Sequence, residues 1–267
     1  MKKYLLTTLL SGTMASMAFG QVSQGGVPYS FTDNSSEQVK QLNISGLDIQ
    51  QWRVEEEEAE IEGEAKPYMV ARNIDYFINV DDGEFIAHAD GTVTWQLEIN
   101  VPGATALDVF FNQLQLTEGV DLYVYGKTKM QVLGAYNAQS NLPEKNFIAG
   151  PIVGDSYTIE INYANAELVS QNNIDIQKIG VYFRSFEEEA KMYGFNEGLS
   201  ELYDSSAPCN IDANCNISHD GWETSQFENA KNASAKIIIA GNGGMGFCSG
   251  TLVASSGYST NNCKNLF

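Results

Sequence analysis

The sequence has little positive charge, few histidines and no cysteine before residue 209. Its 15 lysines and arginines stand against 34 aspartates and glutamates, which gives a formal net charge of −19. Nucleic-acid binding needs a cationic surface that displaces counterions from phosphates, and anionic lipid headgroups attract the same kind of surface. The charge balance therefore argues against nucleic acids and membrane surfaces as partners.

Long apolar runs are also missing. A helix that crosses a bilayer needs about 20 consecutive apolar residues, and no segment qualifies. Residues 1–20 instead have the order of a signal peptide, with Lys2 and Lys3 at the start, a short apolar stretch, and small residues before a cleavage position between Gly20 and Gln21. An ordinary N-terminal helix is the alternative. The signal peptide predicts a secreted protein, either extracellular or periplasmic.

Export makes the cysteines informative, because disulfides persist outside the cytosol. A zinc site is the competing interpretation, but a Cys-x5-Cys spacing is unusual for zinc and the nearby His219 stands alone. The acidic run at residues 55–64 lacks the spacing of a calcium loop, so it is interpreted as a solvated helix face or linker. We predict no metal site, no cofactor and four structural disulfide cysteines: Cys209, Cys215, Cys248 and Cys263.

Short strands dominate residues 76–186. The segment GTVTWQLEINVPG alternates apolar and polar side chains, which is typical of a half-buried strand. Further strands are predicted in ALDVFFNQLQL, VDLYVYGK, QVLGAY, SYTIEINYA and KIGVYFRSF, each bounded by turn-forming residues. Many short strands without helices between them predict an all-β fold, an antiparallel β-sandwich.

Composition and charge divide the chain into several regions. Four acidic residues against three lysines follow position 204, so nearly all of the net charge lies before it. A polar stretch rich in Glu, Gly and Ser separates the two regimes and is predicted to be an exposed, cleavable linker. The predicted regions are a signal peptide, a polar pro-segment, a β-sandwich pro-domain, a linker and a C-terminal region: 1–20, 21–75, 76–186, 187–204 and 205–267.

Two positions in the sandwich resemble peptidase motifs without their chemistry. Gly154-Asp155-Ser156 is followed by Tyr and Thr, where a serine-peptidase nucleophile turn needs glycines that open the oxyanion site. Ser156 is therefore interpreted as part of a turn before a strand. His88 has no nucleophile near it in the sequence and is interpreted as a strand-end or surface histidine.

The C-terminal region predicts a β-hairpin, with the strand AKIIIAG, the turn NGGMG and the strand FCSGTLV. FCSGTLV is similar to the Cys-Gly-Gly-Thr-Leu-type strand of trypsin-superfamily peptidases, and the order APCNIDANC, GW, AKIIIAGNGGMGFCSGTLV resembles the mature start of bacterial lysyl endopeptidases. DGTVTWQLEINVPG and GPIVGDSYTIEI resemble the β-rich pro-region of such enzymes. The resemblance implies the first hairpin of an incomplete trypsin-like β-barrel.

The resemblance also implies a next strand that ends in Thr-Ala-x-His-Cys, whose His is the general base of a Ser-His-Asp triad. If Cys263 matches the cysteine of that motif, Asn262 stands where the base belongs; if the tail is unrelated, the position does not exist. Ser249 lacks the context of a nucleophile elbow. Both alternatives predict a chain truncated before the catalytic His, with no catalytic residue. By the resemblance, Cys209 and Cys215 pair with later parts of the domain, and only a Cys248–Cys263 bridge stays plausible.

Two functions follow. The first is the N-terminal portion of a secreted serine endopeptidase precursor, inactive as printed, whose complete relatives hydrolyse protein or peptide substrates, possibly after Lys. The second is a secreted sandwich module that binds a glycan or cell surface, or acts in trans as chaperone or inhibitor of a mature protease. A glycan platform would use exposed aromatic residues, although core packing explains the same residues: Trp95, Tyr123, Tyr125 and Tyr136.

Overall fold

The computed structural model describes six ranges of the chain: 23–32, 39–62, 68–172, 175–186, 233–241 and 243–251. Twelve β-strands lie within these ranges, and none of the helices described there is long and apolar enough to cross a bilayer. The all-β class is confirmed. The helical elements of the described ranges are α1 (Tyr29–Thr32), α2 (Ile49–Ile61) and three 3₁₀ turns (Val80–Asp82, Ala138–Ser140, Ala166–Gln171).

The first sheet has the strand order β1-β4-β9-β6-β7, and β3 pairs with the beginning of β4. All of its pairs are antiparallel except β1 with β4, which run parallel. Its strands are β1 (Gln41–Asn43), β3 (Glu84–Ala87), β4 (Val93–Asn100), β6 (Val120–Tyr125), β7 (Val132–Tyr136) and β9 (Ser156–Tyr163).

The second sheet is antiparallel throughout, in the order β11-β12-β2-β10-β5-β8. Its last two strands in the chain come from the C-terminal region and extend a sheet otherwise built from residues 68–182. Its strands are β2 (Tyr68–Asn79), β5 (Ala106–Phe111), β8 (Phe147–Val153), β10 (Asp175–Tyr182), β11 (Ser234–Ala240) and β12 (Gly244–Thr251).

The main core lies between the two sheets. Alternate residues of β4, Trp95, Leu97 and Ile99, are fully buried there together with Tyr157. The Trp95 indole also donates a hydrogen bond to the Val80 carbonyl over 2.9 Å, which satisfies its one polar group. The period-2 pattern of β4 therefore identified the core face of this strand.

The opposite face of β4 is not solvated, contrary to the expectation of a half-buried strand. Thr94 and Gln96 are 2% and 3% exposed, because the segment 23–32 lies across this face. That segment pairs with β7: the Gln24 amide donates to Ala135 O over 2.9 Å, and the Ala135 amide donates to Gly25 O over 2.7 Å. A period-2 pattern does not show whether the polar face of a strand contacts water or another polar segment of the chain.

The predicted strands of residues 76–186 correspond to β4, β5, β6, β7, β9 and β10. Strand pairing also includes β1 and the first half of β2, both of which precede residue 76. Strand β8 had no prediction, because Gly150 and Pro151 interrupt it. Its place at the edge of the sheet explains why the proline is tolerated, since an edge strand can lack one N–H.

Most of the acidic run lies on helix α2, which is anchored to the second sheet. Arg72 of β2 pairs with Glu55 over 2.8 Å and with Glu56 over 3.0 Å, and Arg184 pairs with Glu60 over 2.9 Å. Arg184 is itself buried, so its pairing with Glu60 satisfies a charge removed from water. The sequence predicts a solvated helix face for this run. In the structure, carboxylates of the same run also hold α2 against the second sheet.

Candidate functional site

The most informative site is the contact between the C-terminal hairpin (β11 and β12, residues 234–251) and the sandwich formed by the described residues of 23–186. Strand β12 pairs with β11 on one side and with the beginning of β2 on the other. The register across β12 and β2 runs antiparallel from Gly244 opposite Arg72 to Phe247 opposite Tyr68, with one irregularity between Met245 and Gly246. The hairpin thus adds two strands to an edge of the second sheet.

Gly244 allows the two backbones to approach closely. A Cβ at Gly244 would overlap the carbonyl oxygen of Ala71 on the facing strand, whereas a Cβ at Gly243 would meet nothing within 4 Å. The turn of the hairpin is held as well, since the Asn73 side-chain amide donates to Gly241 O over 2.9 Å. The position of the hairpin therefore depends on Gly244 and on the hydrogen bond from the Asn73 side chain.

Met245 is the buried anchor of this contact, with 1% of its surface exposed. It packs over Gly180 of β10, where an added Cβ would overlap its terminal methyl group. Its sulfur lies 2.9 Å from the Tyr182 hydroxyl, and Tyr182 is fully buried. A methionine fills such an irregular gap well, because it is flexible and its sulfur is polarizable.

A buried carboxyl group lies beneath Met245. Asp108 of β5 is 1% exposed, and the Tyr182 hydroxyl lies 3.0 Å from its Oδ2. Burial, only partly offset by the Tyr182 hydroxyl, raises the pKa of Asp108 to about 8. The carboxyl is therefore largely protonated at neutral pH, and the single proton of the Tyr182 hydroxyl is directed either to Asp108 Oδ2 or to the Met245 sulfur. Burial and the neighbouring Asp108 raise the pKa of Tyr182 far above its usual range.

The apolar face on which the hairpin lies is the outer side of the second sheet. Aromatic contacts extend it: Phe247 packs edge-on against Phe186 at 5.6 Å between ring centroids, and its ring is stacked with Tyr68 at 6.4 Å. The guanidinium of Arg184 lies 4.0 Å from the centre of the Tyr68 ring. We call this the apolar face; its buried members are Val70, Ala71, Ala106, Val153, Tyr182, Phe186 and the hairpin's Met245.

The outer side of the first sheet carries a different cluster, centred on Glu160, which is fully buried. Its carboxylate accepts hydrogen bonds from the Ser30 hydroxyl over 2.5 Å, from the Ser30 amide over 3.1 Å, and from Gln96 and the Tyr125 hydroxyl over 2.8 Å each. Burial, followed by the charge of Glu160, raises the pKa of Tyr125 above its usual range. These bonds join helix α1 to the sheet. We call this the polar face, defined by Thr94, Gln96, Tyr125 and Glu160.

A cleft of about 180 Å³ lies between α1 and the polar face. His88, directly after β3, borders it and its Nε2 is 2.9 Å from the Thr94 hydroxyl. Thr94 in turn donates to Asn162 over 3.0 Å, so its oxygen accepts from His88 and is not activated as a nucleophile. Thr94 is also buried within a strand. His88 and Thr94 therefore do not form a nucleophile-and-base pair.

The other residues singled out from the sequence fall in three groups. Ser156 is the first residue of strand β9, and its hydroxyl donates to Glu98 over 2.7 Å. The aromatic residues considered for glycan stacking are all buried, at most 5% exposed, so they form no open platform. The described ranges contain no grouping of three or more His, Cys, Asp or Glu that is placed to hold a metal ion.

The remaining predictions from the sequence concern the signal peptide and the cysteines. The backbone of Cys248 lies in β12 opposite Ile237. The disulfide pairings and the signal cleavage stay predictions, because their other residues lie outside the described ranges: Gly20, Gln21, Cys209, Cys215 and Cys263. His219 and Asn262 also lie outside them.

Sequence reasoning missed Met245 and Asp108. NGGMG was interpreted wholly as a turn, whereas β12 already begins at Gly244. Asp108 stands within the otherwise apolar strand ALDVFF, and a lone acid in such a strand is itself a signal, because burial of a carboxylate is costly. That signal was available in the sequence.

Comparison with known proteins gives one match. Residues 203–267 match the family model for the C-terminal domain of lysyl endopeptidase. No curated protein matches the chain, and no solved structure matches it. The matched segment includes both strands of the docked hairpin. The similarity to lysyl endopeptidase is therefore that of this C-terminal segment.

Proposed function

We propose that the chain is the N-terminal portion of the precursor of a secreted serine endopeptidase: signal peptide 1–20, a pro-region that includes the sandwich, and the start of a trypsin-like catalytic domain from about residue 205. One observation carries this proposal. The lysyl endopeptidase-like segment and a β-sandwich occur in one chain, and the hairpin of that segment lies on the sandwich edge. In a complete relative, export would be followed by cleavage near residue 204 and by hydrolysis of peptide bonds, possibly after Lys.

Under this proposal, these 267 residues supply no catalytic triad. A serine hydroxyl attacks an amide slowly without a general base beside it. His88 lies on the sandwich with Thr94 as its partner, and Asn262 takes the place of the base if Cys263 corresponds to the cysteine after the catalytic His. We therefore propose that these 267 residues do not hydrolyse peptides on their own.

Activity measurements on the purified chain test this proposal. A chain that begins at Gln21 should show no turnover of a lysyl-amide substrate above the His88→Ala control, and no labelling by a fluorophosphonate probe. Turnover or labelling that survives removal of contaminating hydrolases would overturn the absence of a triad. Secretion is tested in parallel by intact mass, with cleavage expected after Gly20.

The second candidate function is action in trans on a mature protease of the same kind. The docked hairpin favours it over glycan binding, because the sandwich contacts a protease-like strand whereas its candidate stacking aromatics are buried. Titration of the chain into a lysyl endopeptidase assay should then lower the protease rate in a saturable way. A glycan panel measured by calorimetry should give no heat.

A further inference from the structure

The edge of β2 and the apolar face beside it are shaped for one particular kind of ligand. Between Tyr68 and Arg72 the edge pairs with β12, and next to it Gly180 leaves room for a long, unbranched side chain. Main-chain pairing supplies affinity in this mode of recognition, and a side-chain pocket supplies specificity. The strand edge, the space over Gly180 and the hydrogen bond from Asn73 to Gly241 together form a receptor for an extended strand.

We propose that the sandwich is a strand-addition receptor for the hairpin 234–251, and that it keeps the hairpin bound after the segment between them is cut. The proposal deepens the proposed function, since it names the partner surface of the pro-region. The occupant is the chain's own hairpin, with Met245 as its anchor and Gly244 as the point of closest backbone approach.

Three features of the contact support retention without a covalent link. Met245 is as well buried as the core, and it shares one buried cluster with Ala71, its partner on the facing strand, and with Tyr182. The aromatic ring of Phe247 closes one end of the contact against Phe186. The hydrogen bond from Asn73 to Gly241 closes the other end, at the hairpin turn.

The test uses the full chain with a cleavage sequence for a specific protease placed within residues 195–204 and an affinity tag at the N-terminus. After cutting, the C-terminal fragment should co-purify with the tagged sandwich at stoichiometric yield. Gly244→Ala should weaken retention at least about tenfold, since its Cβ meets the Ala71 carbonyl. Gly243→Ala is the matched control and should behave as the unchanged chain, since its Cβ meets open space.

Amide hydrogen exchange of residues 68–72 provides a second measurement on the uncut chain. These amides should exchange at least about tenfold faster in Gly244→Ala than in Gly243→Ala, while the amides of β9 stay equally protected in both. Fragments that separate on cutting the unchanged chain overturn the proposal. Equal retention and equal exchange in the two glycine variants overturn it as well.

Neither measurement depends on peptide hydrolysis by this chain itself. Retention of the hairpin can therefore be established, or refuted, whether or not the chain turns out to be a peptidase precursor. Conversely, turnover of a lysyl-amide substrate would overturn the absence of a triad and leave the strand-addition receptor intact.

Discussion

The two outer faces of the sandwich are both covered by other parts of the chain, but by opposite chemistry. The polar face is covered by α1, whose Ser30 hydrogen-bonds to Glu160 and to the Tyr125 hydroxyl. The apolar face is covered by the hairpin, which contributes Met245 and Phe247 to an apolar cluster. The first cover is local to the sandwich and the second comes from the lysyl endopeptidase-like segment.

The difference has a physical consequence. Hydrogen bonds to a buried carboxylate are directional, and loss of one partner leaves a charge unsatisfied. Apolar packing is less directional and scales with the area removed from water. The cover of the polar face therefore depends on individual hydrogen bonds, whereas the cover of the apolar face depends on the apolar area that the hairpin buries. The three predictions below are ordered by the size of the expected effect.

The largest effect concerns Asp108, the buried acid beneath Met245. Its pKa is 3.8 in an ordinary setting and about 8 in the folded protein, so between these values the folded state binds more protons than the unfolded state. The free energy of unfolding should therefore fall as pH rises from about 4 to about 8, by up to about 6 kcal/mol from this group at 1.36 kcal/mol per pKa unit. Asp108→Asn, which does not titrate, should lack that slope.

Urea unfolding across pH 4 to 9 measures this difference. Asp75→Asn serves as the control, because its carboxyl is largely exposed and lies 4.0 Å from the Lys178 ammonium group. Tyr182, which touches Asp108, has a raised pKa and does not titrate in this range. Parallel pH profiles for the unchanged chain and Asp108→Asn would show that the acid is not buried as described.

The second effect probes the polar face. Glu160→Ala removes the acceptor shared by Ser30, Gln96 and Tyr125, and should lower the free energy of unfolding by about 3–5 kcal/mol, because each buried donor left unpaired costs about 1–3 kcal/mol. Glu84→Ala, at an exposed position of β3, should change it by less than about 0.5 kcal/mol. A similar small loss for both variants would mean that α1 is not held by Glu160.

The third effect probes the apolar face through packing alone. Met245→Ala should lower the free energy that holds the hairpin by about 2–3 kcal/mol, as expected for truncation of a buried methionine. Met130→Ala is the matched control, because Met130 is 60% exposed. Thermal unfolding of the two variants, followed by near-ultraviolet dichroism, makes the comparison. Equal melting temperatures would place Met245 outside the packed cluster.

Local patterns predicted most of the sandwich. The alternation in GTVTWQLEINVPG identified β4 and its core residues, and AKIIIAG with FCSGTLV identified the two strands of the hairpin. Strand β8 was missed, because Pro151 is uninformative until the edge position of the strand is known. The half-buried state expected for β4 was wrong, because the cover of its second face comes from residues 23–32, about 70 positions earlier.

The sequence by itself determined the all-β class, the acidic charge of the N-terminal three quarters and the lysyl endopeptidase-like character of the C-terminal segment, since each depends on composition or on short-range order. Only the tertiary structure decided that β12 pairs with β2, that Gly180 makes room for Met245 and that Asp108 lies beneath it. Strand edges present the same backbone groups in every sequence, so no local pattern specifies which edge a hairpin joins. That choice depends on shape and burial, which exist only once both partners are folded.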